Sequence, residues 1–334
     1  VAQDLRFNQI TNSDGLSQSV VNCVLEDKYG FIWVGTQDGL NKYDGYSIEI
    51  IKTNPHDSLS LSGNNILSIF EDKAGIIWIG TNDAGLNSYN RFTNKFTVFK
   101  HNPTVKNTLI NNTVRSIVED ENGVLWIGTE GGMCSLDKDR KTFTNYYPHE
   151  KGLKSNRVWS IILSSNKNHL YVATFGEGLH IFNKKSQQFT QVKDTTKNGG
   201  LKVPGSEKVR TVLEDLVGNV WMGTNNSGLI KYQPKINQFE YFVEGKSSKN
   251  ISNERVRCLT QMPDGTIWIG TFNGLNVFNP KTNEFTKHYR NESNTYSLNN
   301  NNITCVLSSN NNIYWVGTDG GGLNIYKQLA NRFR

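Results

Sequence analysis

One phrase returns seven times along the chain. Trp33-Val34-Gly35-Thr36, followed by Gly39-Leu40, recurs at Trp78, Trp126, Trp221, Trp268 and Trp315, and a degenerate copy, Tyr171-Val172-Ala173-Thr174 with Gly178-Leu179, fills the one gap in the series. Successive copies stand 45, 48, 45, 50, 47 and 47 residues apart. A period in this range is that of four-strand propeller blades, units that bury a continuous core only by stacking on their neighbours. The 334 residues therefore read as one closed domain rather than the two that length alone suggests.

The second unit shows the grammar. Ile66-Leu67-Ser68-Ile69-Phe70 is a short apolar run, Glu71 to Gly75 is a turn, and Ile76-Ile77-Trp78-Ile79-Gly80 returns as the other arm of a hairpin. A second turn leads into Leu86-Asn87-Ser88-Tyr89, and a third into Phe96-Thr97-Val98-Phe99. The expected fold is all-β: a seven-bladed β-propeller with four antiparallel strands per blade. Blades fall near residues 14–51, 62–100, 110–147, 154–192, 204–243, 251–289 and 299–326. The seventh has only three strands up to Tyr326, whereas residues 5–11 carry a strand pattern with no blade before it. The N-terminal strand is therefore expected to complete blade seven and close the ring, removing the exposed edges of an open sheet. Phe333 stands where something further would begin.

Composition narrows the function classes. No apolar run approaches the ~18 residues a membrane helix requires. The net charge of +6 is spread without a dense basic run, which argues against nucleic acid as the partner. The chain opens Val1-Ala2-Gln3-Asp4, without Met, charged n-region or apolar stretch, as expected where a secretory leader has been removed or omitted. Cys23, Cys258 and Cys305 share an innermost-strand column with Ser68, Ser116, Ser160 and Thr211, so a small side chain is expected there because inner strands crowd the axis. Cys134 lies on a third strand. With no C-x-x-C spacing, free buried thiols are expected rather than zinc or a redox pair. The six histidines form no metal or nucleophile motif, and neither cofactor nor catalytic residue is expected. Acidic residues after Gly-Thr (Asp38, Asp83, Glu130, Asp319) read as turn formers, with rim cation binding as the alternative.

The repeated Trp reads as inter-blade packing. Trp159 stands outside that column, near the start of the innermost strand of blade four. Flanking the Val or Ile before the small-residue column, blades three to six carry Arg115, Arg157, Lys208, Arg210, Arg255 and Arg257; blades one, two and seven carry Val20, Asn22, Asn65, Leu67, Asn302 and Thr304. This register gathers a basic crescent on one side of the channel mouth, beside Trp159 and the turn residues Phe175, Glu177, Asn225 and Phe272. Arg forks suit carboxylate and sulfate, and aromatic faces suit sugar rings. The competing reading pairs these cations with rim acids such as Glu207 and Glu254.

The string Leu25-Glu26-Asp27-Lys28-Tyr29-Gly30-Phe31-Ile32-Trp33-Val34-Gly35-Thr36-Gln37-Asp38-Gly39-Leu40, repeated with variation along nearly the whole chain, resembles the two-component-regulator propeller family. Blade four departs, with Ser164-Ser165 for Glu-Asp and Tyr171 for Trp, and blades six and seven also lose the Glu-Asp pair. The resemblance implies the periplasmic sensor region of a hybrid two-component histidine kinase of the polysaccharide-utilisation type. Kinase activity, the membrane anchor and the DNA-binding part would lie in segments absent here, and the full receptor would be a homodimer. The expected partner is an oligosaccharide, acidic or neutral, released during glycan breakdown. Two alternatives stay open: a structural or protein-interaction propeller with the ligand bound elsewhere in the receptor, and a propeller lyase.

Overall fold

The computed structural model describes residues 5–149, 151–194 and 208–328. Its strands form seven four-stranded antiparallel sheets, six of them built from four consecutive strands. The seventh joins Ile303–Ser309, Ile313–Thr318 and Gly322–Lys327 to Phe7–Ile10 from the other end of the chain, with Phe7 opposite Tyr326 and Ile10 opposite Leu323. The ring thus closes as expected, through the N-terminal strand. Phe333 lies outside the described residues. Among those described, no helix is long and apolar enough to cross a membrane.

Each letter of the repeated phrase has a separate physical task. The indoles of Trp33, Trp78, Trp126, Trp221, Trp268 and Trp315 are 1–6% exposed. Each sits in a core shared with the following blade: Trp78 packs with Leu109, Val114 and Leu125, and Trp315 packs across the closure with Val21 and Val34. Removing one indole from water is worth on the order of 4–6 kcal/mol, so these seams hold the ring together. The Thr hydroxyl closes the next turn, as where Thr36 Oγ1 donates to the Gly39 carbonyl at 2.9 Å, and Gly39 takes the positive φ (127°) that this turn demands.

The Gly before that Thr corrects the expectation for the cysteine column. Cys23 pairs with Gly35, Ser68 with Gly80, Cys258 with Gly270 and Cys305 with Gly317 on the adjacent strand. The small side chain therefore fills the space over a glycine and against the next blade rather than crowding the axis. A Cβ on Gly80 would lie 2.3 Å from Ser68 Oγ and 2.6 Å from the Val114 carbonyl of the next blade. The thiols are free, and burial pushes Cys305 up to about 11 and Cys134 up to about 12.

The Glu-Asp pair couples each blade that has it to its neighbours. Asp72 Oδ1 accepts the Ile76 N–H at 2.9 Å, and Oδ2 accepts the Trp78 indole N–H at 2.8 Å and Arg140 of blade three at 3.1 Å. Glu71 accepts the Lys28 N–H of blade one at 2.7 Å and Arg91 at 2.6 Å. Glu26 accepts the Asn310 N–H at 2.8 Å, tying blade one back to blade seven.

Candidate functional site

The innermost strands share one irregularity. In blade one Val21 pairs with Thr36 and Cys23 with Gly35, which leaves Asn22 as the extra residue of a β-bulge. The same bulge falls on Leu67, Arg115, Trp159, Arg210, Arg257 and Thr304 in the remaining blades. A bulge re-aims the side chain it frees. Here the seven bulge residues together line an axial cavity of about 150 Å³. The ring is lopsided: blades three, five and six give guanidiniums and blade four gives an indole, opposite Asn22, Leu67 and Thr304.

A second ring lies at the mouth. After the Thr of each phrase the next residue donates its N–H to the carbonyl of the residue that precedes an innermost strand: Phe175 to Arg157 at 2.9 Å, Asn225 to Lys208 at 3.0 Å and Phe272 to Arg255 at 3.0 Å. The two rings bring cations and aromatic faces together. Trp159 and Phe175 stack with centroids 4.3 Å apart. Arg115 and Arg210 lie over the Trp159 ring at 4.3 and 4.7 Å, Arg157 and Lys208 over Phe175 at 5.6 and 5.5 Å, and Arg210, Arg255 and Arg257 over Phe272 at 5.6, 5.3 and 5.0 Å. Each such contact offsets part of the cost of holding a cation away from bulk water.

Counter-ions come from two of the turn acids, Glu130 and Asp319. Glu130 accepts the Trp159 indole N–H at 3.1 Å, pairs with Arg157 Nε at 3.1 Å and also takes Arg115 Nε. Asp319 pairs with Arg257 at 3.0 Å and accepts from Asn302 at 3.1 Å. Asp38, the third acid of that column with a cation, pairs with Lys52 at 2.6 Å. The expected rim partners differ: Glu207 lies outside the described residues, and Glu254 makes no ion pair among them. The positions of Glu130 and Asp319 just after Gly-Thr were the available signal, since the backbone of that position already contacts the mouth.

Three cations, Lys208, Arg210 and Arg255, have no ion pair among the described residues. Arg210 is the most confined. Its Nε is buried without a hydrogen-bond partner among the described residues, and burial, followed by repulsion from Arg257, Arg115 and Arg255, pulls its pKa down to about 10. Two of the expected site residues are engaged elsewhere. The Glu177 carbonyl and carboxylate accept Gln191 Nε2 of the outermost strand at 2.9 and 3.3 Å, and Asn225 Nδ2 donates to Asn226 at 2.8 Å. Trp159, with Phe175 stacked on it and two guanidiniums over it, is an element of a cationic funnel more than an open sugar platform. No cluster of His, Cys, Asp and Glu suited to a metal ion occurs among the described residues.

Comparison with known proteins agrees with this architecture. The two-component regulator propeller model matches residues 15–38, 60–83, 108–131 and 297–320, which are the entry loop, innermost hairpin and following turn of blades one, two, three and seven. The extracellular domain of BT3049, described as a hybrid two component system of B. thetaiotaomicron, superposes with a TM-score of 0.83 at 28% identity, over 97% of this chain and 42% of that one. The extracellular domain of BT4673 from the same organism, described as a one component system, gives 0.78 at 25% identity, over 98% of this chain and 41% of that one. A 56-residue stretch is 54% identical to Histidine kinase P4 of Formosa agariphila, covering 17% of this chain and 4% of that protein. The chain spans less than half the length of each of these relatives.

Proposed function

We propose that this chain, four of whose seven blades match the two-component regulator propeller model, is the extracytoplasmic sensor propeller of a hybrid two-component signalling protein, contributing to recognition of a glycan-derived oligosaccharide. The carrying observation is the uncompensated positive mouth: Lys208, Arg210 and Arg255 converge around Phe175, Trp159 and Phe272 on one face of the ring. The three blades that the family model leaves unmatched, four to six, are the ones that supply those six residues. Rigid blades with locally divergent side chains at one face are how such scaffolds carry specificity. An oligosaccharide with an acidic group would meet guanidinium forks there, and its binding would bias a homodimeric receptor between two states if the two states bind it unequally. The histidine kinase, the membrane anchor and the periplasmic setting belong to this proposal through the relatives.

A thermal-shift screen of neutral and acidic oligosaccharides, followed by calorimetry on each hit, tests the reading. Saturable binding that weakens in Arg157→Ala and Arg255→Ala supports it. Binding by the full ectodomain with none by this propeller would instead make the propeller a scaffold. That second reading is favoured by the exposed Leu216 and Val217, 81% and 74% accessible in the blade-five hairpin turn, which suit a protein partner.

A further inference from the structure

Resting on the mouth as the recognition face, we propose that the axial cavity beneath it is a binding site for a single oxyanion, a sulfate or carboxylate group, anchored by Arg210. Three guanidiniums, Arg115, Arg210 and Arg257, reach the same cavity of about 150 Å³ from blades three, five and six. Glu130 balances the first and Asp319 the last, both from the rim. Among the described residues Arg210 alone of the three has no carboxylate, and its buried Nε has no acceptor. Trp159 and Phe272 lie along its guanidinium at 4.7 and 5.6 Å, which occupies ring faces while leaving in-plane N–H donors to be satisfied.

An acceptor is what would satisfy that Nε, because a guanidinium offers donors only. One uncompensated guanidinium beside two paired ones disfavours a cation and favours an acceptor that is itself negative. A planar carboxylate or a tetrahedral sulfate matches the donor fork, and a group of that size fits the volume of about 150 Å³ that the seven side chains line. The sugar bearing it would remain at the wider mouth among Lys208, Arg255 and Phe272.

The test uses sodium sulfate and sodium acetate against sodium chloride at matched ionic strength, in phosphate-free buffer, read by thermal shift and calorimetry on the whole chain. The expected result is saturable stabilisation by sulfate or acetate beyond that of chloride, abolished in Arg210→Met and weakened about tenfold in Arg210→Lys, which keeps the charge but loses the fork. Without anion, Arg210→Met is expected to melt no lower than wild type, since a lone buried charge has been removed. A response no greater than chloride's in the wild type, or one unchanged in Arg210→Met and Arg210→Lys, overturns the site. Tighter binding of a sulfated or uronate-bearing oligosaccharide than of the inorganic ion assigns the group to a sugar chain, and equal affinity assigns it to a free ion; both retain the site. Oligosaccharide binding that persists unchanged in Arg210→Met keeps the recognition face and overturns the oxyanion site. A sulfate response with no oligosaccharide binding does the reverse.

Discussion

Glu130, in the turn after the second strand of blade three, accepts the indole N–H of Trp159, from the innermost strand of blade four, at 3.1 Å. The same carboxylate holds Arg157 and Arg115, so one acid fixes the aromatic wall of the mouth and sets how much positive charge is left over. Glu130→Gln keeps an acceptor for the indole and removes the charge. It is expected to cost about 1–2 kcal/mol in urea unfolding, because the pair is only partly buried. In sulfate titration the same variant should bind more tightly than wild type, two further guanidiniums having lost their counter-ion.

The Asp of the Glu-Asp pair is a structural hub. Asp72→Ala strips the acceptor from the buried Trp78 indole, uncaps the Ile76 N–H and frees Arg140 from one of its two carboxylates. The expected loss is about 3–5 kcal/mol in urea unfolding, in the range for breaking a buried pair by removing one partner. Asp72→Asn, which retains the neutral acceptor, should lose less.

Much of this was legible in the sequence, for identifiable reasons. A phrase repeated seven times fixes strand order, blade count and the shared column of Asn22, Leu67, Arg115, Trp159, Arg210, Arg257 and Thr304, because every blade is counted from the same Ser, Thr or Cys. What counting misses is which group on the neighbouring blade a side chain meets. Glu130 and Trp159 are 29 residues apart, and Arg257 and Asp319 are 62 apart. Periodicity places them on one face without saying that they touch. The Ser, Thr and Cys column stands on the innermost strand as expected, but its cause, a glycine on the next strand, was not legible, because a missing Cβ is hard to see as a contact. The bulge itself leaves no composition signal, yet it decides which side chain reaches the axis.

Blade four carries a pH liability. His180 takes the third-strand position where Asn41, Asn87, Asn276 and Asn324 stand in other blades, and neither of its ring nitrogens has a hydrogen-bond partner among the described residues. Burial, aided by Lys154, lowers its pKa from 6.5 to about 4. The unfolded chain therefore takes up the proton first. Stability is expected to be level above about pH 6.5 and to fall as the pH drops toward about 4, by on the order of 3 kcal/mol. His180→Asn should flatten much of that slope in thermal melts at pH 4 to 7. His169, whose pKa burial lowers against the pull of Glu214, would leave a smaller residue of it.

Ring closure rests on a short strand. Phe7 is 2% exposed and packs on Tyr326 with centroids 6.1 Å apart. Phe7→Ala should cost about 3–5 kcal/mol, seen as a lower melting temperature of the whole propeller rather than a separate early transition, since every blade leans on the next.

The recognition face itself is best tested by calorimetric titration of an acidic oligosaccharide into the propeller at low and at raised salt, with wild type beside the Arg157→Ala/Arg255→Ala double variant. Both side chains are exposed, so the fold should survive their loss. Saturable binding that weakens about tenfold with salt and again in the double variant is expected from a cationic mouth. Binding indifferent to both changes, or binding seen only with the full ectodomain, would contradict it.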